Sequence, residues 1–370
     1  MIKEITILGA GFAALTAVKQ LRKQGFQNQI KLIAPKAQLL YYPSLIWVPA
    51  GLRNEQDLTV DLNHFFNRMK VDFTAASVIG LNPQNNLVQT DKGDFSYEKL
   101  IIASGGRFIK KLAGIENACI PCESFSSVQN YTNKLNNLKE GTLAFGFAGN
   151  PNEPAAMRGG PVFEFLFGID TLLRKQKRRE NFELLFFNPV AQPGKRLGEK
   201  AVSTLLQEMQ KRGIKTHLGE KLKAFTANSI ITEATELKSD LTLFMPGMTG
   251  PAWAEKSGLP LSAGGFIQGD AQCRVPDFKD IFIAGDAGSF PGPDWIPKQA
   301  HLADLQAKTA VKNLLQNTTE RFKIELICIV DSLDGGVLVY RDLKRALNMR
   351  NPFFHQAKKF FEWYYLRSYK

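Results

Sequence analysis

Gly9, Gly11 and Ala14 stand at the spacing Gly-x-Gly-x-x-Ala, directly behind the apolar run Ile5–Leu8 and ahead of an amphipathic stretch reaching about Lys23. That pattern makes a phosphate site. Gly9 permits a tight turn, Gly11 lets backbone approach a pyrophosphate, and Ala14 keeps helix and strand close. The pyrophosphate of a dinucleotide then rests on the helix N-terminus, where unpaired N–H groups and the helix dipole favour negative charge. An acidic residue about twenty positions on would take the ribose hydroxyls, but Ala34-Pro35-Lys36 stands there. Lys36 either favours a 2′-phosphate or is a solvated loop lysine, and the second reading is preferred.

The other groups able to do chemistry are thiols. Cys119 and Cys122 form a CxxC in a predicted loop, Cys328 lies in an apolar run, and Cys273 has no suggestive context. A thiolate can attack sulfur and form a disulfide. A buried cysteine, however, is most often only a small hydrophobe, and a CxxC away from a helix start is weak evidence of redox work. His64, His217, His301 and His355 show no triad or ligand spacing, and one CxxC does not make a zinc site. No metal is expected.

Apolar runs that alternate with amphipathic segments predict an α/β architecture. Strands are predicted at Ile5–Leu8, Ile30–Ile33, Leu100–Ala103, Thr142–Phe147, Glu183–Phe187 and Ile281–Ala284, with a helix near Pro161–Leu173. The 370 residues, 44% hydrophobic and 22% charged, exclude disordered and low-complexity classes and suggest two or three domains. A net charge of +12 favours anionic partners. The run Arg174–Arg179 reads as a solvated helix end rather than a nucleic-acid contact, since no recognisable nucleic-acid module accompanies it. A strand at residues 2–8 leaves no room for a signal peptide, and no apolar run is long enough to span a bilayer.

Two further segments choose among dinucleotides. Leu100–Ala103 followed by Ser104-Gly105-Gly106 resembles the strand and small-residue turn by which flavoproteins return to FAD, and Ile281–Ala284 followed by Gly285-Asp286-Ala287 resembles their second FAD signature. There Asp286 would accept a hydrogen bond from the ribityl chain. With these motifs in order, the chain resembles the flavoprotein disulfide reductases. It is most similar within them to sulfide:quinone oxidoreductases and the flavoprotein subunit of flavocytochrome c sulfide dehydrogenase. Supporting segments are Pro43–Gly51, Gly160-Pro161-Val162-Phe163-Glu164, Trp295–His301 and Ile327–Asp331.

The resemblance implies two Rossmann-like, glutathione-reductase-like domains. The expected division is a discontinuous FAD domain at 1–110 and 246–320, a second NAD-like domain at 111–245 without NADH, and a C-terminal segment at 321–370. It further implies that Cys328 belongs to a redox pair, that Lys298 stabilises reduced flavin, and that Glu164 handles protons or steadies its helix start. The partner cysteine would precede the Gly-Pro-x-Phe-Glu motif, where Arg158 stands instead, so Cys122 is the substitute candidate. After Phe147, the sequence Ala148-Gly149-Asn150-Pro151-Asn152-Glu153-Pro154 lacks a glycine fingerprint and argues against NADH.

Asn351–Lys370 holds eight aromatic residues, with Phe353, Ala357, Phe360, Phe361 and Tyr364 on one side of a helix. Such a segment anchors at an anionic lipid surface or docks on the protein itself. The expected activity passes electrons from sulfide or a low-molecular-weight thiol through FAD to a membrane quinone, at the cytoplasmic face of the membrane. Self-association into a homo-oligomer stays open. The alternatives are a type II NADH:quinone oxidoreductase and a flavin-binding protein that has lost sulfide chemistry.

Overall fold

Ile5, Ile7 and Leu8, with Thr6 between them, are all fully buried, the pattern of a strand covered on both faces. In the computed structural model, which describes residues 2–370, this strand (Glu4–Leu8) lies inside a six-stranded sheet. Its neighbours are Lys99–Ile102 on one side and Gln29–Ala34 on the other, both parallel. Val71–Ala75 extends the sheet beyond Gln29–Ala34, and Phe278–Ile283 pairs in parallel with Lys99–Ile102. Only the short edge strand Arg274–Val275 runs antiparallel. The helix Phe12–Lys23 turns Ala13, Ala14, Ala17, Val18 and Leu21 inward and packs against the helix Ala300–Gln316.

A second parallel sheet repeats this order within one continuous stretch of chain. Gly141–Phe147 is flanked by Phe182–Asn188 and Leu241–Met245, with Lys215–Leu218 and Ala118–Cys119 at the edges. Cys119 is thus a strand residue rather than a loop residue, and only Cys122 sits in the turn that follows. The helix Gly160–Lys175 is buried along most of its length and joins this sheet to the C-terminal unit. That unit is an antiparallel meander of Glu325–Asp331, Gly336–Asp342 and Ala346–Asn351, followed by the helix Phe354–Leu366.

The basic run after Gly160–Lys175 is not simply solvated. Asp170 is wholly buried and accepts from Arg174 (2.9 Å), Arg179 (2.6 Å) and Arg212 (3.1 Å). The C-terminal aromatics divide between the two expected roles. Tyr369 is buried 5.2 Å from the Phe65 ring, and Tyr365 lies 5.4 Å from Phe12 and 5.5 Å from Tyr41. Phe353, Phe360, Phe361, Trp363 and Tyr364 instead point to solvent, as do Leu347 and Met349 of the adjoining strand. Among the described residues no helix is long and apolar enough to cross a membrane.

Candidate active site

The first strand, turn and helix form an open cradle. Gly9 has φ +106°, and a Cβ there would lie 2.4 Å from the Ala103 carbonyl oxygen, so only glycine fits. A Cβ on Gly11, the helix N-cap, would meet nothing within 4 Å, which leaves space over the unpaired N–H groups. The Ser104 Oγ beside the cradle is buried with no hydrogen-bond partner, a polar atom waiting for a ligand. Gly105 and Gly285 both hold positive φ, and the Gly285 N–H donates to Gln306 Oε1 at 2.9 Å. Ala34 is buried at its strand end, and Lys36 is exposed in solvent. A dinucleotide fits these residues.

Charged side chains ring the far end of the cradle. Asp286 ion-pairs with Arg158 through one carboxylate oxygen, Oδ2. Lys298 donates to the Gly288 carbonyl and lies 3.8 Å from the centre of the Phe266 ring. Burial pulls the Lys298 ammonium down to about 8. The same cause raises the Tyr42 phenol, which lies in the field of Arg158 and Asp286.

Both candidate thiols lie in the field of one carboxylate. The Glu164 carboxylate acts electrostatically on both Cys122 and Cys328. Burial pushes Cys122 up to about 11 and Cys328 up to about 12, so both are protonated at neutral pH. Cys119 hydrogen-bonds at its Sγ to Ser127 and is raised to about 11, also by burial, while Cys273 is wholly buried elsewhere.

Glu164 lies beyond the start of its helix, and its partners are tertiary. It ion-pairs with Lys358 of the C-terminal helix and accepts from the Asp331 N–H at 3.3 Å. Burial outweighs Lys358 and raises the Glu164 carboxyl to about 7. Asp331 in turn accepts from the Trp47 indole at 3.3 Å and pairs with His355 Nδ1 at 2.7 Å.

The corresponding strand end in the second sheet is built differently. No helix follows Gly141–Phe147 directly; the next begins at Gly160, after a folded loop. Asn150 donates to the carbonyls of Met248 (2.8 Å) and Gly264 (2.9 Å), and Glu153 accepts from Ser262 at 2.5 Å. At the end of the neighbouring strand, Asn188 donates to the Phe147 carbonyl at 2.8 Å. At this end of the sheet the side chains of Asn150, Glu153 and Asn188 thus bond within the protein.

Sequence reasoning missed Tyr42, His355 and Lys358. Lys358 gave no signal, because its partner Glu164 is 194 residues away. His355 gave none, because its partner Asp331 is 24 residues away.

The family model described as "Pyridine nucleotide-disulphide oxidoreductase" matches residues 3–144 and 187–307. A type II NADH:quinone oxidoreductase from Staphylococcus epidermidis is 22% identical over 378 aligned residues, covering 92% of this chain and 91% of the relative. The crystal structure of a sulfide:quinone oxidoreductase from Aquifex aeolicus superposes with a TM-score of 0.90 at 21% identity, covering 99% of this chain and 91% of that one. A water-forming NADH oxidase from Lactobacillus brevis superposes with a TM-score of 0.72 at 17% identity, covering 92% and 75%.

Proposed function

This chain belongs to the pyridine nucleotide-disulphide oxidoreductase family and is an FAD-dependent oxidoreductase, and we propose that it carries electrons from a sulfur donor to a membrane quinone. FAD would lie on Gly9, Gly11 and Ala14 with its far end toward Ser104, Gly285 and Lys298, and it supplies two-electron redox chemistry there. Lys298 holds positive charge where the reduced ring system becomes anionic. Glu164, with a pKa near 7, is suited to exchange protons with groups in its field, which include Cys122 and Cys328. Arg158 cannot form a disulfide, so Cys328 and Cys122 are the thiols assigned to the donor side.

The observation that carries this reading is the strand end of the second sheet. Asn150, Glu153 and Asn188 bond within the protein at the strand end where family members that bind a nicotinamide dinucleotide would need a glycine turn, which supports a donor other than NADH. The names of the relatives support quinone as acceptor for both the sulfide and the NADH reading. The second reading, an NADH:quinone oxidoreductase, draws on Arg158, since such an enzyme needs no cysteine pair.

The quinone is reached from the membrane. The exposed ring cluster of Phe360, Phe361, Trp363 and Tyr364, flanked by Lys359, Arg367 and Lys370, suits the headgroup region of an anionic leaflet. The test of function is anaerobic flavin absorbance with sulfide or NADH as sole reductant. Fast bleaching by sulfide and slow bleaching by NADH is expected; the reverse order replaces this reading with the NADH one.

A further inference from the structure

Gln299 is the N-cap residue of the helix Ala300–Gln316, yet its side chain does not cap that helix. Its Nε2 instead donates to the Ile327 carbonyl at 2.6 Å, on the strand Glu325–Asp331 and one residue before Cys328. The direction of that bond fixes the amide, since the reverse orientation would set two acceptor oxygens against each other. The end left over is Oε1, and it is buried with no hydrogen-bond partner.

A buried acceptor without a donor costs more than an ordinary hydrogen bond returns, so Oε1 marks a place for a donor. Gln299 belongs to the wall of a small cavity that Asp286, Gly288 and Lys298 also line. Lys298 does not satisfy it, because that ammonium donates to the Gly288 carbonyl and lies over the Phe266 ring. The consecutive residues 298 and 299 thus bring a cation and a neutral acceptor to one wall. The pyrimidine edge of a flavin offers the complement. Its two carbonyl oxygens gain negative charge on reduction, and between them stands the imide N–H, the only N–H of the oxidised ring.

We infer that Gln299 positions the flavin: its Oε1 accepts a hydrogen bond from the imide N–H of bound FAD, while its Nε2 holds the strand that carries Cys328. One carboxamide then fixes both the pyrimidine end of the cofactor and the thiol strand. This inference rests on the assignment of Lys298 to the flavin above and is independent of which donor reduces it.

The test measures dissociation constants of FAD and of 3-methyl-FAD, in which a methyl group replaces the imide proton, after exchange into the full-length protein. Wild type should hold FAD about tenfold or more tightly than the analogue. Gln299→Ala should bind the two within about twofold of each other. A role confined to the Ile327 contact would weaken both flavins alike and leave the preference standing, and that result overturns the inference. Equal affinities in wild type overturn it too. Gln299→Met, which nearly keeps the volume, serves if Gln299→Ala does not fold. Nitrogen NMR of FAD isotopically labelled at the imide reads the bond directly. An imide proton that is shifted downfield and slow to exchange in wild type, but not in Gln299→Met, upholds the contact. A proton exchanging in wild type as it does in free FAD overturns it, by leaving Oε1 to a buried water. In Lys298→Met, a wild-type reduction potential with the preference for FAD intact removes only the placement of Lys298.

Discussion

The two parallel sheets share a strand order but treat the end of their first strand in opposite ways. After Leu8 the chain makes a glycine turn and enters a helix at once, so its free N–H groups face open space. After Phe147 it spends twelve residues on a loop whose amides and carboxylates bind the protein itself. A shared topology therefore does not by itself give both sheets a ligand. What decides is whether backbone donors at the strand end are left unpaired or are satisfied internally.

The largest effect that tests this contrast is Gly9→Val. A positive φ and a Cβ 2.4 Å from the Ala103 oxygen leave no room, so strain of at least about 2 kcal/mol and loss of bound FAD are expected. Gly149→Ala, whose Cβ would meet the flexible Met157 side chain at 3.0 Å, should keep its flavin. Flavin-to-protein absorbance ratios after purification compare the two, and equal retention would erase the distinction.

Asp170→Ala strips a wholly buried carboxylate from three arginines beside the second sheet, and about 3 kcal/mol should disappear in urea unfolding. Asn150→Ala removes one donor from two carbonyls and should cost about 1–2 kcal/mol in the same assay. Bleaching by NADH should stay slow in that variant, because Asn188 still binds the Phe147 carbonyl. Rapid NADH bleaching would mean that the loop is a removable cover rather than a wall.

The smallest effect is on pH dependence. The Glu164 pKa is raised by burial from the ordinary 4.5 to about 7, so the folded state pays nothing for this group below 4.5 and the full penalty above 7. Wild-type stability should lose ground over that window relative to Glu164→Gln. Melting temperatures measured across it should therefore slope less in the variant, and parallel slopes would mean the carboxyl is charged throughout.

What could be read from residues alone was local. The Gly9-x-Gly11-x-x-Ala14 cradle depends on contiguous residues, and so do the strand runs, which lie where the alternation of apolar and amphipathic segments put them. The absence of a fingerprint after Phe147 was legible too, but the hydrogen bonds within the protein at that end were not. Glu164 and Lys358 are 194 residues apart, and no periodicity reports such a pair. The basic run misled for the same reason, since Arg174 and Arg179 meet Arg212 both across Asp170 and at the Arg212 carbonyl. Tyr365 and Tyr369 served the core while five of the eight C-terminal aromatics face solvent, because one C-terminal segment can turn rings toward both a neighbour and solvent.

The placement of Phe278–Ile283 bears on how the chain acquires its shape. This strand completes the first sheet beside Lys99–Ile102, yet the whole second sheet lies between them in the chain. A polypeptide emerging from the ribosome would present every strand of the second sheet before that missing member arrives. The second sheet can thus condense early, on local contacts, and its folded bulk shortens the loop that the first sheet must still close. Until then the Lys99–Ile102 edge stands open and apolar, and the nascent first half is most prone to misassociate at that stage.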